Sequence, residues 1–127
     1  MNQRGTTTVL AAAIAALTVF AGLVGVEVYR LVTAKAVAQT AADAAALAAA
    51  PLTFAAFGSE GGPEAEAATY AAANGSALVE CRCPFDPVWR SRIVVVTVAV
   101  EVDSFVGLSH VRAMAAAEFD PTVWLTP

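Results

Sequence analysis

The longest pattern of hydrophobic and polar positions fills the first 50 residues of the chain. An uncharged, apolar run extends from Thr6 to Val26 and passes, without a proline, into an alanine-rich block that ends at Pro51. Alanine is the strongest helix former, and proline is poorly tolerated inside a helix. The pattern therefore predicts one helix over 6–50, about 68 Å long at 1.5 Å per residue.

The apolar run at the start of this helix is long enough to cross a bilayer, which takes about 20 predominantly apolar residues. We expect a leader over 1–5, a transmembrane helix over 6–26 and an extramembrane continuation of the helix over 27–50. A cleaved secretory signal is the competing interpretation, with Arg4 as its basic residue. The run is longer than the usual apolar core of such a signal, which has about 7–15 residues.

Small residues are unusually frequent in the run, and Ala15 and Gly22 are two of them. Small residues let helix backbones approach closely inside a membrane, where there is little hydrophobic force to hold helices together. The run is therefore either a helix-packing surface or a plain lipid anchor whose alanines reflect the composition of the chain. Beyond the run, Lys35, Gln39 and Asp43 follow at intervals of four residues and share one helical face.

A second, short helix is predicted over 63–73, after a connector over 51–62. Pro63 suits the first helical position, because its missing N–H has no partner there in any case. Asn74 and Gly75 supply a helix stop. This helix is the first element of a small domain that follows the long one.

Three later segments alternate with the period of β-strands: 76–83, 92–103 and 110–119. The second is the clearest, with valine at every even position from Val94 to Val102, and we expect this face to pack on the helices. The alanines of the third segment also suit a helix, but a strand is favoured because a lone hairpin is marginally stable. A turn over 104–109 joins these two strands, and Trp124 is the apolar anchor of the tail.

The predicted fold class is α+β: a long N-terminal transmembrane helix that continues into a domain with a short helix and a three-stranded antiparallel sheet. The domain occupies 51–127. Of the whole chain, 58% is hydrophobic, above the 45–50% or so that is usual in soluble domains, and much of the excess lies in the first 50 residues.

Charge and titratable residues argue against several classes of function. The net charge is −4 and the seven basic residues are scattered, so no basic patch indicates a nucleic-acid partner. The single histidine, His110, leaves little scope for a catalytic pair, and no glycine-rich phosphate loop follows a strand. We expect a protein that is not an enzyme, with no cofactor, no metal site and no small-molecule substrate.

Cys81 and Cys83 are the two cysteines of the chain. Side chains two positions apart on a strand point to the same face, with Cα atoms near the upper limit for a disulfide. A relaxed backbone before Pro84 would bring them together. The sequence leaves three possibilities: a Cys81–Cys83 disulfide, two free buried thiols, or an intermolecular or metal-binding role.

Several segments together resemble one family. Arg4-Gly5, the apolar helix and the block Gln39–Ala50, which reads Q-x-A-A-D-A-A-A-L-A-A-A, are similar to TadE/TadG-like proteins. Those are pilin-like components of tight-adherence (Flp) pilus assembly systems. The segment 72–81, with the valine strand after it, resembles a short subgroup encoded beside helicase and secretion genes.

The resemblance implies a pseudopilin or minor-pilin role, with other pilin-like or Tad secretion components and the membrane as partners. It implies a cytoplasmic N-terminus, an extracytoplasmic C-terminal domain and processing between Gly5 and Thr6. Asp43 occupies the family's aspartate position, and we assign it with Ala15 and Gly22 to helix packing. Processed members carry a glutamate where this chain has Leu10. The alternative function is a membrane-anchored extracytoplasmic binding or sensory module with no filament role.

Overall fold

The computed structural model describes residues 3–58, 60–105 and 107–125. At both ends of this range the outermost two residues are described by their backbone alone. Met1 and Asn2 of the predicted leader, and the side chain of Trp124, lie outside the described residues.

The first element is a single helix, α1, over Gln3–Leu52. The prediction of one helix through the apolar run and the alanine block is confirmed, but the prediction that Pro51 lies beyond its end is wrong. Pro51 lies in the last turn, one residue before the helix ends at Leu52. The hydroxyl of Thr53 donates to the Ala50 carbonyl at 2.6 Å, and the backbone N–H of Phe54 donates to the Pro51 carbonyl at 3.1 Å.

A short 3-10 turn over Ala55–Phe57 leads to the second helix, α2, over Gly62–Ala73. The predicted stop is confirmed in detail. Gly75 has a φ of +76°, and its N–H donates to the Ala72 carbonyl while that of Ser76 donates to the Ala71 carbonyl. These two bonds form the glycine-centred helix termination that satisfies the last free carbonyls.

The remainder of the domain is a three-stranded antiparallel sheet in the order β1-β2-β3, followed by a 3-10 turn over Pro121–Leu125. The strands are β1 Ala77–Arg82, β2 Arg92–Ser104 and β3 Gly107–Phe119. The third segment is a strand, so the helical alternative for its alanines is excluded. The predicted turn over 104–109 is too long, because pairing continues to Ser104 and Gly107. Gly107, at a φ of +123°, permits the tighter turn.

The core lies between α1 and the sheet, with α2 packed against α1 and β1. Val94, Val96 and Val98 are completely buried, as the valine pattern predicted. They face alanines of α1, whose small side chains allow close approach. The buried cluster consists of Ala38, Ala41, Ala42, Ala45, Ala46, Ala49, Ala50, Ala67, Ala71, Val94, Val96, Val98, Ala113, Ala115 and Ala117.

The β2–β3 hairpin runs back along α1 toward the apolar run. At one end Arg92 donates to the carbonyl of Thr53, and at the other Phe105 lies beside Val24. The segment of α1 and the strand β2 that connect these two levels have similar lengths, so the hairpin can reach the apolar run. From Val24 to Thr53 the chain spans about 44 Å at 1.5 Å per residue. From Arg92 to Phe105 it spans about 43 Å at 3.3 Å per residue.

Candidate functional site

The apolar half of α1 is uncovered by the rest of the described chain except near its end, where Phe105 lies beside Val24. Its most hydrophobic stretch has no buried residue, and among the described residues α1 is the one helix long and apolar enough to span a membrane. Large side chains such as Leu10 and Leu17 are exposed. In water such a surface would be highly unfavourable, since apolar area costs about 25 cal/mol per Å² to expose.

Beyond the apolar run, the domain covers one face of α1 and leaves the opposite face open. Ala38, Ala45 and Ala49 are completely buried, whereas Asp43 and Leu47 are exposed. Leu47 is 68% exposed in the middle of the alanine block. This apolar side chain on an open helical face is therefore accessible to another molecule.

The three residues predicted for helix packing lie along this open side. Ala15, Gly22 and Asp43 are separated by multiples of seven residues. Their angular position around the helix axis changes by only about 20° per seven residues, so they lie on the same side. A Cβ atom placed on Gly22 would meet nothing within 4 Å. The structure thus leaves all three accessible, and none of the described residues lies in the space above Gly22.

Asp43 belongs to a polar stripe at the border between α1 and β3. The amide of Gln39 donates to the Asp43 carboxylate at 3.1 Å and to the Met114 carbonyl at 3.4 Å. Lys35 donates to the Arg112 carbonyl at 2.7 Å. Because β3 is an edge strand, these contacts satisfy carbonyls that would otherwise be open to pairing with another strand.

The predicted processing site lies at the start of α1. Gly5 and Thr6 are both exposed and helical, and a Cβ atom on Gly5 would meet nothing within 4 Å. Leu10, at the position of the family's glutamate, is also exposed. The three residues lie on the same uncovered part of the helix as Ala15.

Cys81 and Cys83 are joined by a disulfide in the structure, with their Cα atoms 5.4 Å apart. Cys81 belongs to β1, but the strand ends at Arg82 and Cys83 lies outside it. This departure from the extended conformation brings the Cα atoms closer than regular strand geometry would. Both side chains pack at the edge of the core.

Arg92 is the main structural residue that the sequence analysis missed. It is only 7% exposed, and its guanidinium donates to the carbonyls of Thr53, Asp86 and Val88. The ring of Phe54 lies below it, with the guanidinium carbon 5.4 Å from the ring centroid. The sequence contained one indication of this burial: Arg92 has an even number, like the buried valines of β2, and therefore lies on the same face of the strand.

The loop that Arg92 holds also contains Asp86. Its carboxylate accepts the backbone N–H of Val88 at 2.9 Å and pairs with Arg90 at 2.7 Å. The Val88 hydrogen bond, followed by the one from Arg90, lowers the pKa of Asp86 below its ordinary value of 3.8. The hydroxyl and then the backbone N–H of Thr122 lower the pKa of Asp120 in the same way. These groups organise loops, and each is a local backbone anchor.

His110 lies exposed on β3, directly opposite Glu101 of β2. His110 and Ser76 both line a shallow depression on the surface. The Ser76 hydroxyl donates to the Ala71 carbonyl at 3.2 Å and so belongs to the termination of α2. Within the described ranges, no three histidine, cysteine or acidic residues come together as metal ligands would.

Comparison with known proteins identifies the N-terminal part of the chain. Residues 5–56 match the profile of the family described as putative Flp pilus-assembly TadE/G-like. No curated protein and no solved structure is significantly similar to the chain. The match covers α1 from Gly5 and the first residues after it, which include the alanine block and Asp43. The expected resemblance is therefore confirmed: residues 5–56 are similar to the TadE/G-like Flp pilus-assembly family.

Proposed function

We propose that the protein is a non-enzymatic structural subunit of a Tad-type pilus or secretion apparatus, with a pseudopilin or minor-pilin role. The observation that carries the proposal is the family match over the same helix whose apolar half and open face are uncovered. Its partners are the membrane and other pilin-like or Tad components.

In this proposal the chain crosses the membrane once. Residues 6–26 span the bilayer, 1–5 form a cytoplasmic leader, 27–50 continue the helix outside, and 51–127 form the extracytoplasmic domain. The apolar run supplies about 31 Å of helix, which matches a hydrocarbon core of about 30 Å. The first charged residue after the run, Glu27, then lies at the outer boundary.

The open side of α1 is the proposed assembly surface. Inside the bilayer it offers Ala15 and Gly22, where a sister helix can approach closely. Outside, it offers Asp43 and the exposed Leu47. The opposite side of the helix is already occupied by the domain, so the two functions of α1, holding its own sheet and binding a neighbour, use different faces.

Two covalent features complete the proposal. Cleavage between Gly5 and Thr6 removes the leader, and the Cys81–Cys83 disulfide forms outside the cytoplasm, where the environment is oxidising. The intact mass of the chain extracted from membranes under non-reducing conditions tests both. A mass equal to that of the chain starting at Met1 would contradict cleavage. A mass that increases on thiol alkylation without prior reduction would contradict the disulfide.

The assembly surface is tested by enlarging small residues of the spanning helix at equal depth. Ala15→Leu and Gly22→Leu should reduce crosslinking between this chain and itself or other Tad components in native membranes, because leucine keeps the helices apart. Ala13→Leu is the matched control. It lies about 200° around the helix from Ala15, one heptad before Phe20 on the side that faces the domain.

Membrane insertion of each variant is measured in parallel by resistance to alkaline extraction. Normal insertion with undiminished crosslinking in Ala15→Leu and Gly22→Leu would refute the assembly surface. The chain would then be better described as an anchored binding or sensory module.

A further inference from the structure

The turn of the β2–β3 hairpin lies against the apolar part of α1, well away from the core of the domain. Phe105 packs over a groove of about 330 Å³ whose walls are almost entirely apolar. Phe105 itself remains 63% exposed, and Leu108, at the start of β3, is 71% exposed. The groove is formed by Phe20, Leu23, Val24, Glu27, Val28 and Phe105.

The height of this turn along α1 is fixed by the hairpin. If 6–26 spans the hydrocarbon core, Phe20 lies about 9 Å inside its outer boundary, at 1.5 Å per residue. Val28 lies just outside. Phe105 contacts a groove that extends from one to the other. The tip of the hairpin is therefore level with the zone where the acyl chains meet the lipid headgroups.

Polar groups next to the tip suit the same position. The guanidinium carbon of Arg30 lies 5.8 Å from the Phe105 ring centroid. Arg30 is four residues, or about 6 Å, beyond the end of the proposed span. One carboxylate oxygen of Glu27 is buried beneath the tip, with no hydrogen-bond partner among the described residues. Asp103 is exposed two residues behind Phe105, about 7 Å further along the strand. This acidic residue limits insertion to the turn itself.

We propose that the hairpin tip, Phe105 and Leu108, is a second membrane contact that enters the interfacial layer of the outer leaflet beside α1. Apolar side chains that enter the headgroup layer bind membranes in proportion to the apolar area they bury. The partner is the lipid surface, because the tip continues the apolar surface of the spanning helix. This contact holds the domain close to the membrane. The inference rests on the proposed single span of 6–26.

The test measures the depth of the tip with tryptophan fluorescence in the full chain, reconstituted in phosphatidylcholine vesicles. Trp89→Phe and Trp124→Phe remove the native signals. One tryptophan is then introduced in each variant: Phe105→Trp or Leu108→Trp at the tip, Leu17→Trp in the middle of the span, and Met114→Trp on the exposed face of β3. Each variant is measured with lipids brominated near the headgroup or near the chain end, and with aqueous iodide.

We expect Phe105→Trp and Leu108→Trp to lose fluorescence with headgroup-proximal bromine, and Leu17→Trp to lose it with the deeper label. Met114→Trp should respond to iodide alone. If both tip variants behave like Met114→Trp while Leu17→Trp is quenched by lipid, the tip contact is refuted and the span stands. Tip variants shielded from both quenchers would indicate a second copy at the tip, which also refutes a lipid contact. Loss of bromine quenching at Leu17→Trp would refute the span itself.

Discussion

At the scale of single residues, Arg92 connects two distant segments of the domain. Its buried guanidinium is surrounded by backbone carbonyls of the connector and of the β1–β2 loop. It joins the end of α1 to the start of β2. This contact fixes the far end of the hairpin, and with it the height of the tip.

We therefore predict that Arg92→Met destabilises the domain by about 3 kcal/mol, because a hydrogen bond from a charged group contributes about 1.5–3 kcal/mol. The Thr53 and Val88 carbonyls keep the backbone N–H groups of Asp86 and Arg90 as donors, whereas the Asp86 carbonyl loses its guanidinium donor. Arg82→Met is the control, since the Arg82 side chain is 66% exposed and pairs with Glu80 on the surface. Its effect should stay below about 1 kcal/mol, as for other surface ion pairs. Thermal unfolding of the full chain in detergent micelles measures both. Equal losses of stability in the two variants would mean that water replaces the guanidinium as the hydrogen-bond donor to these carbonyls.

At the scale of elements, β2 determines the arrangement of the domain. Its even positions are buried against α1 and its odd positions form the outer surface of the sheet. Val96 is fully buried, whereas Thr97, its neighbour, is partly exposed and faces Met114 across the strand pair. One residue along the strand thus changes the environment completely.

This alternation predicts unequal effects of charge. Val96→Asp should cost about 3–5 kcal/mol, the range for an uncompensated buried charge. Thr97→Lys should cost less than about 1 kcal/mol, as surface changes usually do. Both are measured by thermal unfolding under the same conditions. Similar damage from the two substitutions would show that both faces of the sheet are covered, with a partner on the outer one.

Most elements were predictable because each has a simple local cause. The alanine block and the valine alternation determine their elements almost alone, and Asn74-Gly75 ends α2 as expected. The errors lie at the ends of elements and have local causes. The Thr53 hydroxyl bonds to the Ala50 carbonyl and extends α1 past Pro51. Gly107 allows β2 and β3 to pair up to Ser104, so the turn is shorter than the predicted 104–109.

The candidate site was predictable to a similar degree. Ala15, Gly22 and Asp43 could be placed on one helix from their spacing alone. What the spacing could not provide was the face that the domain covers, which depends on how the sheet packs. The burial of Arg92 and the height of Phe105 also depend on that packing, and neither follows from a local pattern.

At the scale of the whole molecule, the distribution of charge along the chain bears on its orientation in the membrane. All eleven acidic residues and six of the seven basic ones follow Val26, which gives that part a net charge of −5. Acidic residues contribute little to topology, and the cationic side chains Arg30 and Lys35 compete with Arg4. Charge alone is therefore a weak guide. The family's cytoplasmic N-terminus and the proposed disulfide favour an outside domain.

We predict that protease added to intact spheroplasts digests an epitope tag placed after Pro127, because the proposed topology puts the C-terminal domain outside. A tag before Met1 would be lost with the cleaved leader, so a cytoplasmic marker protein is the inside control: it must stay intact until detergent lysis exposes it. The loop at 84–91 gives the protease a second site, because Arg90 is exposed and outside any strand. The hairpin tip adds a further expectation: residues near Phe105 should resist cleavage longer than the 84–91 loop, because the membrane shields them. A C-terminal tag that survives until lysis would reverse the orientation, and with it the compartment in which Cys81 and Cys83 lie.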